Sequence, residues 1–325
     1  MAKRISSLGE AGVVDLISGL LAGPVRHPRL LRGIGDDCAL IRPGRGLLFT
    51  DDAFIEGIHF QQRRVPAKRA GWKALAANVS DIAAGGGTPL AALVSLELPP
   101  SLPVPWLKAF YAGVLRCARR FSLAVAGGNI ARGTKFAAHI ALTGDAPARY
   151  AGRGGARVGD LVAVTGSLGA SRAGLMCLER GLRSPEARGA VKRHLIPEPR
   201  VAAGRALARV AGAMIDVSDG LIREAGLIAR ASKVNLALVP GAVPVHEAAV
   251  RLARKLNAVP AALALASGEE YELLACVPRR RFSRAARALA RLNLPFTAIG
   301  EVRRGRGVTL VGGAPGKISG FDHFR

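Results

Sequence analysis

Apolar residues fall in short runs that stop at glycine, proline or acidic residues, and stretches with helical spacing separate the runs. Residues 46–54 (GLLFTDDAF) predict a short strand running into polar positions, and 71–84 predict a helix stopped by Gly85–Gly87. Residues 90–98 predict a buried strand closed by Pro99-Pro100, and 105–121 an amphipathic helix that starts at a proline and ends near Arg119-Arg120. Strands are predicted at 123–126, running into Gly127-Gly128, and at 135–143. Beyond a stretch of small residues and arginine at 146–155 the pattern restarts. Strands are expected at 160–165, 213–217, 271–277, 296–301 and 308–311, with helices from 170 to about 180, from 221 to about 231 and over 281–292. Strands and helices alternate in both halves, so the fold class is α/β or α+β with two domains, 1–148 and 149–325.

Composition adds a second layer. Half of the 325 residues are hydrophobic, which excludes disorder as the main state. The net charge is +24, and 38 of the 47 cations are arginine. That excess suits nucleic acid, anionic lipid or polyanionic substrates, and a general arginine- and alanine-rich composition accounts for it equally well. Cys38, Cys117, Cys177 and Cys276 are widely spaced with no CxxC, as expected of reduced thiols in a cytosolic protein. No signal-peptide pattern opens the chain, and the longest charge-free run, 82–96, is too short and too broken to span a bilayer. No membrane association is expected.

The cations are scattered, whereas the acids are gathered. Twelve of the 23 lie in a few short segments: Asp36, Asp37, Asp51, Asp52, Glu56, Asp81, Asp216, Asp219, Glu224, Glu269, Glu270 and Glu272. Residues 98–144 contain none. Thr50-Asp51-Asp52 ends an apolar run, Asn78, Ser80 and Asp81 sit near a helix end, and Asp216, Ser218 and Asp219 leave a strand. Hydroxyl and carboxylate oxygens are hard ligands suited to magnesium. Four oxygen-rich segments, counting Gly33–Asp37, favour a magnesium and polyphosphate site. Gly127-Gly128-Asn129 and Gly166-Ser167-Leu168-Gly169 are candidate backbone donors to phosphate, and GxxxxGK[ST] is absent. Arg132 and Arg153 are candidate cationic clamps, while His59, a lone histidine, is more readily structural than catalytic.

These segments resemble the thiamine-monophosphate kinases, within the AIR-synthetase-like (PurM-like) ATP-binding group. The resemblance rests on GIGDDCAL (33–40), FTDDAFIEGIHF (49–60), KALAANVSDIAAGGGTP (73–89), GGNIARG (127–133), GARVGDLVAVTGSLG (155–169), KRHLIPEPR (192–200), IDVSDGLI (215–222), SGEEYELL (267–274) and GFDHF (320–324). It implies a PurM-like two-domain α/β (α+β) fold, usually dimeric, and magnesium-dependent transfer of the γ-phosphoryl group of ATP to thiamine phosphate. It also implies metal-site roles for Asp37, Thr50, Asp51, Asp52, Asp81, Asn129, Asp216 and Asp219. Gly128, Asn129, Arg153 and Ser218 take nucleotide-site roles, and His59, Glu269 and Phe321 substrate contacts. Three positions depart from the family pattern, since Asn129, Ala170 and Glu270 stand where aspartate is usual. Two rivals remain: another ATP-dependent enzyme of the group, or a weakly catalytic paralogue binding nucleotide or nucleic acid. The reactive early cysteine of selenophosphate synthetases and the cysteine-ending tail of hydrogenase-maturation relatives are absent. With the acids concentrated as they are, nucleic acid is not the expected partner.

Overall fold

The computed structural model describes residues 4–21, 27–32, 40–42, 44 and 46–313. Asp36, Asp37, Cys38 and Phe321 lie outside them. The chain divides into two compact units. One comprises Met1–Ile82 with Thr88–Ala146, and the other Ala83–Gly87 with Pro147–Arg325.

The first unit holds helix α1 (Gly9–Leu21), a small antiparallel pair β1 (Leu30–Arg32) and β2 (Leu40–Ile41), and a four-stranded sheet. That sheet consists of β3 (Leu47–Ile55), β4 (Thr88–Leu98), β5 (Ala124–Arg132) and β6 (Ala137–Asp145), in the order β3-β6-β4-β5. Only β4 and β5 run parallel. Period-2 alternation gives the sheet two unlike faces. Thr50, Asp52 and Phe54 register with Leu142, Ile140 and Ala138 on the inner face, and Phe49, Asp51 and Ala53 stand exposed on the other. Helix α2 (Ala67–Ala84) lies on the inner face, where a Cβ at Gly144 would come within 2.7 Å of Ile82. Helix α3 (Val104–Arg120) crosses α2 backbone to backbone. A Cβ at Gly71 would sit 1.9 Å from the Phe110 carbonyl oxygen, and one at Gly113 would sit 2.0 Å from that of Lys68, so only glycine permits the crossing. An aromatic cluster of Phe54, Phe60, Trp106, Phe110 and Phe136 anchors the end of β3.

In the second unit six strands form one sheet: β7 (Asp160–Thr165), β8 (Ala213–Asp216), β9 (Asn235–Leu238), β10 (Leu273–Pro278), β11 (Phe296–Arg303) and β12 (Gly307–Leu310). Their order is β12-β9-β11-β7-β10-β8, antiparallel except for β12 with β9. Alternate residues of the central strands feed two cores. Val162, Val164, Ile215, Leu274 and Cys276 pack with α7 (Leu221–Ser232) and α9 (Pro260–Ala266). Met214, Leu273, Ala275 and Val277 pack with α6 (Val201–Ala208) and α10 (Arg279–Ala290). A third cluster joins α4 (Ala170–Glu179), α5 (Pro185–Leu195) and α8 (Glu247–Leu256). Much of the arginine excess is ordinary solvated surface. On α10, Ala285 and Leu289 turn inward while Arg280, Arg284, Arg287 and, just past its end, Arg291 are exposed.

Two readings need correction. The strand expected at 123–126 does not stop at Gly127-Gly128 but continues to Arg132, registering Gly128 with Val94 and Asn129 with Ser95. The glycine serves close pairing, since a Cβ at Gly128 would lie 1.9 Å from the Val94 carbonyl oxygen. The helices α1, α5, α6, α8 and α9 and the strands β1, β2 and β9 are additional to the expected elements; α8 buries Ala248, Ala249, Leu252, Ala253 and Leu256 at helical spacing, a periodicity the sequence reading passed over. Among the described residues no helix is long and apolar enough to cross a membrane. Cys177 and Cys276 are free and buried, and Cys117 is buried.

Candidate functional site

In the first unit β3 carries Thr50 and Asp52 on its inner face, and the last turn of α2 brings Asp81 to them, its carboxylate accepting the Thr50 hydroxyl proton. Asp52 and Asp81 are half-buried, while Asp51 points to the opposite, exposed face. The other two α2 residues are more deeply enclosed. Asn78 and Ser80 are fully buried, and the Asn78 amide donates to the Ala74 carbonyl one turn back (3.3 Å), leaving its Oδ1 without a hydrogen-bond partner. They belong to the helix interior. Asn129 is exposed, and its register with Ser95 and, through β4, with His139 puts it on the outer sheet face, away from Thr50 and Asp52. Arg132, at the end of β5, is exposed. His59 closes the turn after β3: its Nδ1 accepts the Ile55 N–H at 3.0 Å, and its ring stacks on Phe54. That bond leaves Nε2 as the protonated nitrogen of the neutral ring.

In the second unit Asp216 ends β8, 3% exposed, and Ser218 and Asp219 form the turn into α7. Glu224, in the first turn of α7, accepts the Asp219 N–H (2.8 Å) and the Ser218 hydroxyl (3.2 Å) on Oε1. Burial pushes its carboxyl up to about 7. Asp219 also pairs with Arg223 at 3.2 Å. The segment 267–272 folds back on this turn. Glu269 N–H donates to the Ser218 carbonyl (2.6 Å), and Glu270 and Tyr271 N–H to that of Val217 (3.1 and 3.0 Å). To do so, Glu269 and Tyr271 adopt left-handed φ values of +55° and +54°, a cost that active-site loops often carry. Glu269 Oε2 stands 3.6 Å from Nδ1 of the buried His194, which also meets the Ser171 hydroxyl at 3.0 Å. The Arg153 side chain is exposed, with its carbonyl accepting from Ser232.

The turn Gly166–Gly169 is not a phosphate cradle. Gly166 N–H donates to the Pro295 carbonyl and Leu168 N–H to that of Pro244. The N–H groups that open α4 go to a buried carboxylate: Glu270 Oε1 accepts from Gly169 (2.7 Å), Ser171 (2.9 Å) and the Ser267 hydroxyl (2.6 Å). The helix end is thus capped from within the protein. Burial nonetheless pushes the Glu270 carboxyl up to about 7 from 4.5, against the downward pull of its hydrogen bonds and of Arg193. An acid whose folded pKa lies above its unfolded one stabilises the fold below the unfolded value and loses that contribution as pH rises through the folded one. This carboxyl is therefore expected to cost about 3 kcal/mol between pH 4.5 and pH values well above 7. Urea midpoints at pH 4.5, 6 and 8 check it: Glu270→Gln should flatten the decline seen in the wild type, and an unchanged slope refutes it.

Glu272, fully buried, is held by Arg200 on both oxygens, by Arg193 (3.1 Å) and by the Thr165 hydroxyl (2.7 Å). Sequence reasoning gave no role to Glu224, Glu272 or His194. A first-turn glutamate four residues after Gly220 was the available signal for Glu224, and the run of glutamates at 269–272 drew attention to Glu272 without giving its partners; nothing local marked His194.

The comparisons with known proteins agree over the whole chain. The AIR synthase related protein N-terminal domain family matches residues 35–146, and the corresponding C-terminal domain family matches 157–313. A thiamine-monophosphate kinase of Aquifex aeolicus is 36% identical over 324 residues, covering 99% of this chain and 100% of that protein. The chain belongs to the thiamine-monophosphate kinase family. The family's Bacillus subtilis protein is 35% identical, with 89% of this chain and 90% of its own length covered. Among solved structures, the thiamine-monophosphate kinase of Stenotrophomonas maltophilia superposes with a TM-score of 0.83 at 30% identity, over 94% of this chain and 98% of its own. AaThiL complexed with AMPPCP and TMP gives 0.79 at 36% identity, with both chains fully covered. The hydrogenase maturation protein HypE, at 20% identity and a TM-score of 0.76, shares the fold. The expected PurM-like α/β (α+β) fold is borne out.

The oxygen donors at Thr50, Asp52 and Asp81 suit magnesium in kind, being hydroxyl and carboxylate groups. Among the described residues no three or more His, Cys, Asp or Glu side chains are grouped so as to hold an ion by themselves. Magnesium commonly keeps water and substrate phosphate oxygens among its six ligands, so an incomplete protein cage fits it better than it would fit calcium or zinc.

Proposed function

We propose that the protein is a thiamine-phosphate kinase that transfers the γ-phosphoryl group of ATP to thiamine phosphate, giving thiamine diphosphate. The observation that carries this reading is end-to-end similarity, at 36% identity, to a family whose AaThiL member is described in complex with AMPPCP and TMP. The carboxylate positions support it.

In the first unit Thr50, Asp51, Asp52 and Asp81, with Asp37, are the metal-site residues of this reading, and Gly128 and Asn129 belong to the nucleotide site. In the second unit Asp216 and Asp219 are the metal-site residues, and Arg153 and Ser218 accompany the nucleotide. His59, Glu269 and Phe321 contact thiamine phosphate. Bound Mg2+ supplies Lewis-acid charge that offsets repulsion between the two anionic substrates. The carboxylates hold that charge in place, and the two substrates are aligned for direct in-line attack by the acceptor phosphate oxygen on the γ-phosphorus. That oxygen is already ionised at neutral pH, so no protein group needs to remove a proton.

The outer face of the four-stranded sheet, with Phe49 74% exposed beside Leu47 and Leu93, supports a homodimer joined there, and a cytoplasmic location completes the reading. The deciding experiment is ATP consumption with and without thiamine phosphate, run on the wild type beside Asn129→Asp. Thiamine-phosphate-dependent turnover is expected in both, since Asn129 stands on the sheet face opposite Thr50 and Asp52. Consumption indifferent to thiamine phosphate refutes the reading.

A further inference from the structure

Glu224 is 1% exposed, in the first turn of α7, and belongs to no metal or nucleotide set named above. Its Oε1 accepts both the Asp219 N–H and the Ser218 hydroxyl, the Ser218 backbone N–H also favours the carboxylate, and its buried Oε2 has no full hydrogen bond among the described residues. A buried carboxyl with one oxygen unsatisfied is a costly way to cap a turn and calls for an explanation beyond packing. The turn is also pinned from the other side, by Glu269 N–H on the Ser218 carbonyl and by Glu270 and Tyr271 N–H on that of Val217. There is no slack: a Cβ at Gly268 would lie 2.7 Å from the Ser218 oxygen.

We infer that Glu224 is a positioning residue for nucleotide binding, acting by fixing what Ser218 and Asp219 present to the ligand. A serine hydroxyl has one proton and two lone pairs. With the proton committed to Glu224, Ser218 offers the ligand lone pairs only. The Asp219 N–H is likewise committed, so neither group donates to a phosphate oxygen. The turn instead takes electropositive partners: a divalent cation bound with the phosphates, or an O–H or N–H of the nucleoside. This follows whether Glu224 is charged or carries its proton on Oε2, because Oε1 accepts in both cases. The inference rests on the kinase reading for the identity of the nucleotide and for the place of Ser218 and Asp219 at its site.

Glu224→Met and Glu224→Gln separate positioning from packing. Methionine keeps the volume and removes the acceptor, leaving the Asp219 N–H and the Ser218 hydroxyl to find other partners at a moderate cost in stability. Glutamine keeps an acceptor oxygen. Calorimetric titration with AMPPCP in excess magnesium is expected to show affinity reduced about tenfold or more in Glu224→Met and within about threefold of wild type in Glu224→Gln. In the kinase assay KM for ATP should rise in parallel in Glu224→Met, with KM for thiamine phosphate unchanged within about twofold. Wild-type affinity in Glu224→Met overturns the inference, as does an equal loss in both variants or a Glu224→Met protein that does not fold. A wild type that binds AMPPCP without phosphorylating thiamine phosphate refutes the kinase reading and leaves the binding comparison to decide this one.

Discussion

Asp81→Asn is expected to lower thiamine-phosphate phosphorylation by about a hundredfold or more at ordinary magnesium while shifting the melting temperature little. The amide keeps the shape of the carboxylate and an oxygen to accept the Thr50 hydroxyl proton, so the bond between β3 and α2 survives the change. What is lost is one negative charge. In a reaction whose catalysis is mostly positioning and charge stabilisation, losing a carboxylate of the proposed metal site is expected to remove several kcal/mol from the transition state. Each 1.36 kcal/mol is tenfold in rate, so about 3 kcal/mol gives the stated factor. Part of the loss should be recovered at high magnesium if the variant binds the ion weakly. The measurement is initial rate against magnesium concentration, with thermal melts of both proteins. Full turnover at ordinary magnesium would show that Asp81 holds no metal.

Glu272→Ala should be the most damaging single change to stability, costing about 3–5 kcal/mol. Glu272 is fully enclosed and receives Arg200 on both oxygens, Arg193 on one and the Thr165 hydroxyl on the other. The Thr165 hydroxyl also accepts the Leu273 N–H at 2.8 Å, so β7, β10, α5 and α6 meet at this one carboxylate. Alanine strands the Arg200 guanidinium, which has little access to water, and leaves a void. For a unit of this size the loss corresponds to a melting temperature lower by about 10 °C. Chemical denaturation measures it directly, and a cost below about 1 kcal/mol would show that the network only breaks even. Glu272→Gln, which keeps two of the bonds, should fall between.

The acids of 267–272 show where legibility ended. Three glutamates in four residues announced a site, and they turn out to do three different things. Glu269 reaches His194, Glu270 caps α4, and Glu272 anchors the arginines. The separation depends on left-handed backbone at Glu269 and Tyr271, a conformation that neither residue type favours alone and that the carbonyls of Val217 and Ser218 impose. The turn Gly166–Gly169 failed for a related reason. Its spacing is that of an anion-binding helix start, yet the anion is Glu270, 101 residues further along the chain.

Thr50, Asp52, Asp81 and Asp216 were visible because strand ends and helix ends are local properties: an apolar run stops, an oxygen donor follows, and backbone periodicity sets the face it points to. The same local rules carried the alternation of strands and helices and the restart of the pattern near residue 150. Burial is not local. Asn78 and Ser80 share Asp81's helix turn and differ from it only in being enclosed, and Asn129 shares the oxygen chemistry but takes the far face of its sheet because the strand runs on through its glycines. Which donors remain available to a ligand is set by what the folded chain has already bonded to them, and some of those partners, such as Glu270 for the start of α4, lie about a hundred residues away. The sequence could therefore name the kinds of atom at the candidate site and most of the elements that carry them. Tertiary packing alone decided which of those atoms are committed, and to what, because hydrogen-bond capacity used inside the fold is capacity withdrawn from substrate.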